Sequence, residues 1–519
     1  MYLTQGLHRC MQQSPDRTAV IFGERSETFS ELHGRVARLA GALRKLGMTA
    51  GGRVAMLALN SDRYLEYLLG VWWGGGVINP VNIRWSAPEI VYSLDDCDTV
   101  ILIVDDHFLP IAPKIADSAH RRPVLIYAGE GAAPSGMLSY EQLIAYTAPV
   151  DDAFRGGDDL AAIMYTGGTT GKPKGVMQSH LNLWSSTVSR MAEFRHFEGT
   201  TVSLHAAPLF HIAAMARAVG HFAAGDTHVV LATFDPRAVL ETIERHKVEE
   251  LLLVPTMLQS VLEHADFRAR DLSTLKRIYY GASPISAAVL DKALAALPGI
   301  EFYHAYGLTE ASPVVSVNPP INHSATARAS GLHRSAGRAS LGVTVKIVDE
   351  NDVEVPRNTI GEIVVRGANV MQGYWNRREE TAQTLRNGWL HTGDGAYMDD
   401  DGYLFIVDRM KDMIVTGGEN VYSAEVESVL SRHPAVVQCA VIGIPNARWG
   451  EAVHAVVVAR PGSNPSGDDL REHCRQFIAG YKCPKSVEFR SAMPLSAAGK
   501  ILKRDLRAPY WETESRQVG

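Results

Sequence analysis

The chain has 519 residues, which is enough for about three to four units of common domain size. Hydrophobic residues make up 46% and charged residues 21%, as in an ordinary globular protein, while a net charge of -6 and a pI near 6.3 argue against nucleic-acid binding through a general basic surface. The five cysteines are scattered without a CxxC pair, which argues against a disulfide framework or a zinc cluster and favours a cytoplasmic protein.

The first part of the chain alternates between helix-like and strand-like segments. Residues 31–46 have one apolar helical face that ends before Gly47. Residues 67–83 form the longest apolar stretch, but glycines and a proline interrupt it, so we expect a buried strand and turn and no transmembrane segment. Peripheral contact with a membrane stays open.

Short apolar runs of strand length continue along the chain, with helix-like segments such as 236–247 between many of them. The runs are 54–59, 100–104, 124–127, 160–165, 228–232, 250–254 and 277–281. This alternation predicts an α/β fold with mostly parallel sheets and helices on their faces.

The pattern changes after about residue 335. Short strands at 343–349, 361–367 and 402–408 are separated by Asn, Asp and Gly turns, which is typical of a small antiparallel barrel or sheet. From residue 409 onward, a helix capped by Ser423, two strands and a second helix predict a compact α+β unit. We therefore expect a large N-terminal domain, residues 1–408, and a small C-terminal domain, residues 409–519.

A loop rich in hydrogen-bond donors follows the apolar strand at 160–165. Residues 165–175, Tyr-Thr-Gly-Gly-Thr-Thr-Gly-Lys-Pro-Lys-Gly, combine flexible glycines, hydroxyl groups and lysines, as a cradle for polyphosphate requires. The loop is not a Walker A motif, because only three residues separate Gly167 from Gly171 and Pro173 follows Lys172. A GxGxxG fingerprint is also missing near the start of the chain, so a P-loop kinase and a nicotinamide dehydrogenase are both disfavoured.

This loop resembles the signature of the adenylate-forming superfamily, and four further segments resemble the family's other motifs in the family's order. They are HAYGLTE at 304–310, WLHTGD at 389–394, DRMKDMIVTGGEN at 408–420 and PLSAAGK at 494–500. The resemblance implies an AMP-forming acyl-CoA synthetase, which uses ATP and Mg²⁺ to make an acyl-adenylate and then transfers the acyl group to coenzyme A. It also implies two mostly parallel sheets and a small antiparallel β-barrel in the large domain, followed by a mobile C-terminal domain.

The resemblance implies a role for each residue that matches a motif. Lys500 corresponds to the catalytic lysine, Thr309 to the α-phosphate contact, and Glu310, together with Thr166, to the magnesium site. Asp394 corresponds to the ribose contact. The implied ATP and AMP contacts are Thr166, Gly167, Gly168, Thr169, Thr170, Gly171, Lys174, Gly281, Ala282, Ser283, His304, Ala305, Tyr306, Gly307, Asp394 and Arg409.

Other positions concern the second half-reaction and the acid. Asp408 corresponds to the hinge about which the C-terminal domain rotates, and Gly417, Gly418 and Glu419 correspond to the loop that faces coenzyme A. His211 resembles the catalytic gate beside the carboxylate. The predicted acyl pocket consists of His211, Met215, Arg217, Gly281, Ala305, Pro313 and Val314.

The identity of the acid stays open at this point. No acidic residue is placed to pair with an amino-acid ammonium group, and the small Gly281 and Ala305 leave room for a chain or a ring. Medium- or long-chain fatty acids are slightly favoured, and aryl acids such as cinnamates are the alternative. Arg217 could bind a second carboxylate, as a dicarboxylate substrate requires, or could extend to solvent.

Two rival functions also follow from these residues. The acyl acceptor could be the thiol of a carrier protein in place of free coenzyme A, or the chain could sense AMP without catalysis. A homodimer is expected only by analogy.

Overall fold

The computed structural model describes residues 1–166, 172–194, 200–283, 285, 287–409, 412–417, 419–446, 448–496 and 499–511, with the backbone alone described at residue 409. Helices α1 to α16 are Gln5–Gln13, Phe29–Lys45, Asp62–Trp73, Ala87–Asp96, Ala112–Ser118, Tyr140–Tyr146, His180–Glu193, Ile212–Ala224, Pro236–His246, Pro255–Glu263, Ala287–Ala296, Ala325–Ala329, Arg378–Thr384, Ser423–Leu430, Gly467–Arg475 and Lys503–Arg507.

Strands β1 to β27 are Thr18–Phe22, Arg25–Thr28, Arg53–Leu57, Val77–Pro80, Ile101–Val104, Val124–Tyr127, Leu138–Ser139, Leu160–Thr166, Lys174–Ser179, Val202–His205, Thr227–Val230, Glu250–Leu252, Arg277–Gly281, Glu301–Gly307, Val314–Asn318, Arg338–Ala339, Val343–Val348, Gly361–Gly367, Gly373–Tyr374, Leu385–Arg386, Trp389–Met398, Leu404–Arg409, Ile414–Thr416, Glu419–Val421, Val436–Asn446, Gly450–Ala459 and Ser486–Phe489.

Two large sheets hold most of the strands. The nine-stranded sheet has the order β16-β15-β14-β13-β12-β10-β11-β1-β2, and the eight-stranded sheet has the order β19-β9-β8-β4-β3-β5-β6-β7. The inner pairings are parallel, such as β13 with β14 and β3 with β4, while antiparallel strands lie towards the edges, such as β15 and β9. The predicted α/β class with two mostly parallel sheets is therefore confirmed.

The predicted barrel-like region is a five-stranded antiparallel sheet of β17, β18, β20, β21 and β22. Sequence analysis found β17, β18 and β22 but missed β21. Strand β21 contains the segment at 389–394, whose glycine and polar residues hide the alternation typical of a strand. The C-terminal sheet, β23 to β27, packs with α14 and α15 as the predicted α+β unit does.

Two local predictions were wrong. The first half of residues 67–83 lies in helix α3, which precedes β4. Every residue from Asp62 to Trp73 is buried, and the charged residues of the helix all precede residue 67, so this stretch shows no amphipathic pattern. Ser423 does not cap α14 but is its first residue, because its hydroxyl group donates a hydrogen bond to Asp408 instead.

Among the described residues, none of the helices is both long and apolar enough to cross a membrane.

Candidate active site

Strands β13 and β14 end side by side and carry two of the predicted nucleotide segments. Gly281 pairs with Ala305 across the two strands. A Cβ atom on residue 281 would lie 2.2 Å from the carbonyl oxygen of Ala305, so any larger residue would push the strands apart. Gly307 is equally constrained, since its Cβ would lie 1.8 Å from the carbonyl oxygen of Pro313. The two glycines keep this edge of the sheet compact.

Tyr306 connects this edge to the antiparallel sheet. Its hydroxyl group donates a hydrogen bond of 2.7 Å to Oδ2 of Asp394, and both residues are buried. Asp394 pairs with Arg409 across β21 and β22, although the side chain of Arg409 lies outside the described part of the chain. The predicted adenine and ribose positions thus converge, and Tyr306 orients the carboxylate of Asp394.

We expect Tyr306→Phe to raise the KM for ATP roughly tenfold, because removing the hydroxyl group leaves Asp394 without a hydrogen bond that holds its carboxylate in place. Steady-state kinetics with varied ATP would measure this effect. Tyr146→Phe, which removes an exposed hydroxyl group on α6, is the control, and equal changes in the two variants would contradict the assignment.

His304, in contrast, has a structural environment. Its ring stacks on Tyr280 with 4.8 Å between centroids, and its Nδ1–H donates to the carbonyl oxygen of Ser335 at 3.2 Å. Burial lowers the pKa of His304 to about 4. His323, which accepts a hydrogen bond from the hydroxyl group of Tyr280, has a pKa lowered to about 4 for the same main reason. Both rings are neutral near pH 7.

These histidines predict how stability depends on pH. In the unfolded chain they titrate near the ordinary value of 6.5, so between that pH and about 4 the unfolded state binds more protons. The stabilisation is complete above pH 6.5 and is lost as the pH falls towards 4, by at most about 1.4 kcal/mol per pH unit for each histidine. Urea unfolding at a series of pH values would measure it, and His323→Gln should reduce the slope.

The short turn at Thr309 and Glu310 is fixed by neighbours from two other strands. Nε2 of Gln178 donates to the carbonyl oxygen of Thr309 at 2.7 Å. The hydroxyl group of Tyr374 donates to Oε1 of Glu310 at 2.9 Å, and burial together with the Glu310 charge raises the pKa of Tyr374. Sequence analysis missed Gln178 and Tyr374, which lie in no motif and reach the turn only through sheet pairing.

The ends of the phosphate loop lie beside this turn. Thr166 ends β8 and Lys174 begins β9, and the two residues pair in antiparallel register. The ammonium group of Lys174 lies 5.2 Å from the centroid of the Tyr374 ring, which brings it towards Glu310. Gly167, Gly168, Thr169, Thr170 and Gly171 lie outside the described residues. The described end of this segment at Lys174 therefore lies on the Glu310 side of the site.

An open cavity of about 350 Å³ adjoins Glu310 and is also lined by Tyr374, Thr384, Arg386 and His391. In the described part of the chain, no three His, Cys, Asp or Glu side chains come together in a way that could hold a metal. A single carboxylate at an open cavity suits Mg²⁺, which retains water and takes its other ligands from substrate phosphates. Glu310 fits that ion.

His211 and Lys500 lie close together although 289 positions separate them in the numbering. His211 is the N-cap of α8, and its Nδ1 accepts a hydrogen bond from the Ala213 amide. Burial, and secondarily the positive charge of Lys500, lowers the pKa of His211 to about 3. The imidazole is therefore neutral, and the positive charge of Lys500 is felt at His211, the residue predicted to lie beside the acid.

The side chain of Asp408 is hydrogen-bonded to Ser423, the first residue of α14. Its Oδ2 accepts hydrogen bonds of 2.6 Å from the backbone N–H and the hydroxyl group of Ser423. Lys503 contacts the same hydroxyl group and forms a 2.8 Å ion pair with Glu427. A rotation about residue 408 must preserve or replace these contacts.

The predicted coenzyme A segment is the turn between β23 and β24. Gly417 has a φ of +61°, in the left-handed region, and donates from its backbone N–H to the carbonyl oxygen of Trp449 at 2.9 Å. Glu419 is exposed at the start of β24. Gly418 lies outside the described residues.

The alternative that Arg217 extends to solvent is wrong, because only 4% of the residue is exposed. Its Nη2 donates to Oε1 of Glu250 at 2.6 Å, and its guanidinium carbon lies 4.1 Å from the centroid of the Tyr279 ring. The Tyr279 hydroxyl group donates to the other carboxylate oxygen of Glu250 at 3.1 Å. Arg217 is thus neutralised from within the protein and is not placed as an uncompensated partner for a second substrate carboxylate.

The remaining predicted pocket residues lie on α8, on the ends of β13 and β14, and at the start of β15. Met215 is fully buried in α8, and Val314 packs with Tyr279 and Tyr303. Ser312 and Pro313 connect the Glu310 turn to β15. Sequence analysis missed Glu250 and Tyr279. The sequence carried a signal in Glu250, the second of two adjacent glutamates, because a charge that begins an apolar strand requires a buried partner.

Comparison with known proteins identifies a family and several relatives that this chain resembles. Residues 7–375 match the family described as AMP-binding enzyme, and residues 425–500 match the AMP-binding enzyme C-terminal domain. A feruloyl-CoA synthase from Amycolatopsis is 41% identical over 97% of this chain and 98% of its own length, and a fatty acid–[acyl-carrier-protein] ligase, ScoC, from Streptomyces coeruleorubidus is 36% identical over 98% and 96%. The crystal structure of the anthranilate CoA ligase AuaEII in complex with anthranoyl-AMP matches with a TM-score of 0.89 and 27% identity, over 98% of this chain and 97% of that one.

Proposed function

Since the chain belongs to the family of AMP-binding enzymes and is an AMP-forming acid–thiol ligase that uses ATP, Mg²⁺ and coenzyme A, we propose that it converts a compact aromatic carboxylic acid to its acyl-CoA. In the first step, a carboxylate oxygen attacks the α-phosphorus of ATP and pyrophosphate leaves. In the second, the thiol of coenzyme A attacks the acyl carbon of the adenylate and AMP leaves.

Lys500 supplies the positive charge for the first step. Two anions approach each other there, and the Lys500 ammonium group stabilises the negative charge beside the neutral His211. Thr309 and Lys174 contact phosphate oxygens, and Asp394, oriented by Tyr306, accepts hydrogen bonds from the ribose. Mg²⁺, held through Glu310, would neutralise phosphate charge.

The second step requires Lys500 to leave and coenzyme A to enter. We propose that the chain from residue 409 rotates about Asp408, which brings the turn at Gly417 to the adenylate. A left-handed glycine allows a pantetheine arm to pass close to the backbone there.

The single observation that supports a compact acid is the buried pair of Arg217 and Glu250. Arg217 follows His211 by six residues in α8, a rise of about 9 Å along the helix axis. Tyr279, which contacts Arg217, forms an aromatic cluster with Phe194 and Tyr303, with ring centroids 4.6 and 5.2 Å away. We place the end of the acyl pocket at this ion pair, and that depth suits an aromatic acid with a short side chain and not an extended long-chain acyl group.

Two of the three relatives described above support the same proposal, because the feruloyl-CoA synthase and the anthranilate ligase are named for aromatic acids, whereas ScoC is named for a fatty acid. The experiment also tests the two alternatives from the sequence analysis, a fatty acid as substrate and a carrier protein as acyl acceptor. The purified protein, given ATP and Mg²⁺, should release pyrophosphate faster with benzoate, anthranilate, cinnamate or ferulate than with octanoate, palmitate or adipate. Mass spectrometry with free CoA or a phosphopantetheinylated carrier identifies the acceptor, and a preference for palmitate or adipate would overturn the proposal.

A further inference from the structure

The loop that carries Lys500 is held by two residues from distant parts of the chain. Nη1 of Arg84, in the segment between β4 and α4, donates to the carbonyl oxygens of Leu495 and Ser496 at 3.1 and 3.0 Å. The hydroxyl group of Thr256, in the first turn of α10, donates to the carbonyl oxygen of Gly499 at 3.3 Å. One contact lies at the start of the loop and the other directly before Lys500.

The loop is itself a tight turn. Leu495 pairs with Ile501 across it, the Ser496 N–H donates to the Lys500 carbonyl oxygen at 2.7 Å, and the Lys500 N–H donates to Oγ of Ser496 at 3.0 Å. These hydrogen bonds connect Leu495 and Ser496 directly to Lys500 and Ile501. Fixing residues 495, 496 and 499 therefore fixes where the Lys500 side chain begins.

The fit at Thr256 is close. Gly499 has a φ of +75°, and a Cβ atom on it would lie 2.8 Å from Oγ1 of Thr256 and 3.1 Å from Cγ2 of Val254. The backbone of Gly499 therefore lies so close to α10 that a larger residue at this position would collide with Thr256. Such contact shows that the two surfaces are complementary where the lysine enters the site.

We infer that Arg84 and Thr256 are positioning residues that hold the Lys500 loop in the pose for adenylation. This inference rests on the proposed function. Neither residue lies in a motif that suggested a role, and each acts through the backbone of the loop. If the loop moves away for the second half-reaction, both sets of hydrogen bonds break, so the two residues stabilise only the first pose.

The test measures the two half-reactions separately on the full chain. Acid-dependent pyrophosphate release in a single turnover without CoA reports adenylation, and conversion of supplied acyl-AMP with CoA reports thioester formation. Arg84→Ala should lower the first rate by roughly 10- to 100-fold, as expected for hydrogen bonds from a charged donor, and should leave the second rate unchanged or faster. Thr256→Val should lower the first rate by roughly threefold.

Two controls keep the result interpretable. Arg84→Lys retains a charged donor and should recover part of the adenylation rate, whereas Arg121→Ala removes another exposed arginine and should change neither rate. Equal loss of both half-reactions in Arg84→Ala, or no loss in either, would overturn the inference. If the unmodified chain forms no acyl-AMP with any acid, the proposed function fails instead, so the two failures are distinguishable.

Discussion

Replacing Lys500 by alanine is expected to lower the rate of acyl-adenylate formation by roughly 10²–10³-fold, the usual loss when one group that stabilises transition-state charge is removed. Conversion of supplied acyl-AMP and CoA to acyl-CoA should remain largely intact. The charge of Lys500 acts beside His211, where we place the attacking carboxylate, so its loss affects the first step. The thiol attack takes place after the C-terminal domain has rotated, when Lys500 is no longer at the acid.

The measurement is a pyrophosphate-release assay for the first half-reaction and chromatography of acyl-CoA for the second. Lys292→Ala, which removes an exposed lysine on α11, serves as the matched control and should affect neither. Equal loss of both half-reactions in Lys500→Ala would contradict the assignment of two poses.

Replacing Glu250 by glutamine is expected to lower the free energy of unfolding by about 3–5 kcal/mol, because it leaves the buried Arg217 without its compensating charge. Glu250 is completely buried and Arg217 is 4% exposed, so water cannot take over the role of the carboxylate. The loss of stability should lie at the upper end of this range, because a second arginine, Arg190, is buried nearby. Burial and the charge of Arg217 already lower the pKa of Arg190 to about 9.

Urea unfolding would measure the loss for Glu250→Gln and for the double variant Arg217→Met/Glu250→Gln. The double variant should recover most of the lost stability, because it removes the charge that the single variant leaves unpaired. It should also accept longer acids, since a flexible methionine replaces the fixed guanidinium group at the end of the pocket. A single-variant cost below about 1 kcal/mol would argue that His221, which contacts Nη2 of Arg217 at 3.0 Å and is itself bonded to Asp226, compensates the charge instead.

The sequence by itself determined the architecture and the reaction class of this protein. Alternating apolar runs specify parallel strands, because a strand buried on both faces needs apolar side chains along its length, and residues 277–281 form β13 as predicted. The motifs around Lys500, Glu310 and Asp394 identify the chemistry because glycines, hydroxyl groups and charges at those spacings are needed locally. Helix α3 and strand β21 were missed because burial on all sides and a functional segment, respectively, remove the periodicity that local reasoning uses.

Only the tertiary structure decided which residues meet across the chain. The contacts of Tyr374 with Glu310, Tyr306 with Asp394 and Arg84 with the Lys500 loop join segments 64, 88 and more than 400 positions apart. The same holds for Arg217 and Glu250, where a lone arginine in a helix became a buried ion pair. Spacing in sequence predicts contacts within one element, but the pairing of charges between elements depends on sheet order and helix packing, which no local pattern encodes.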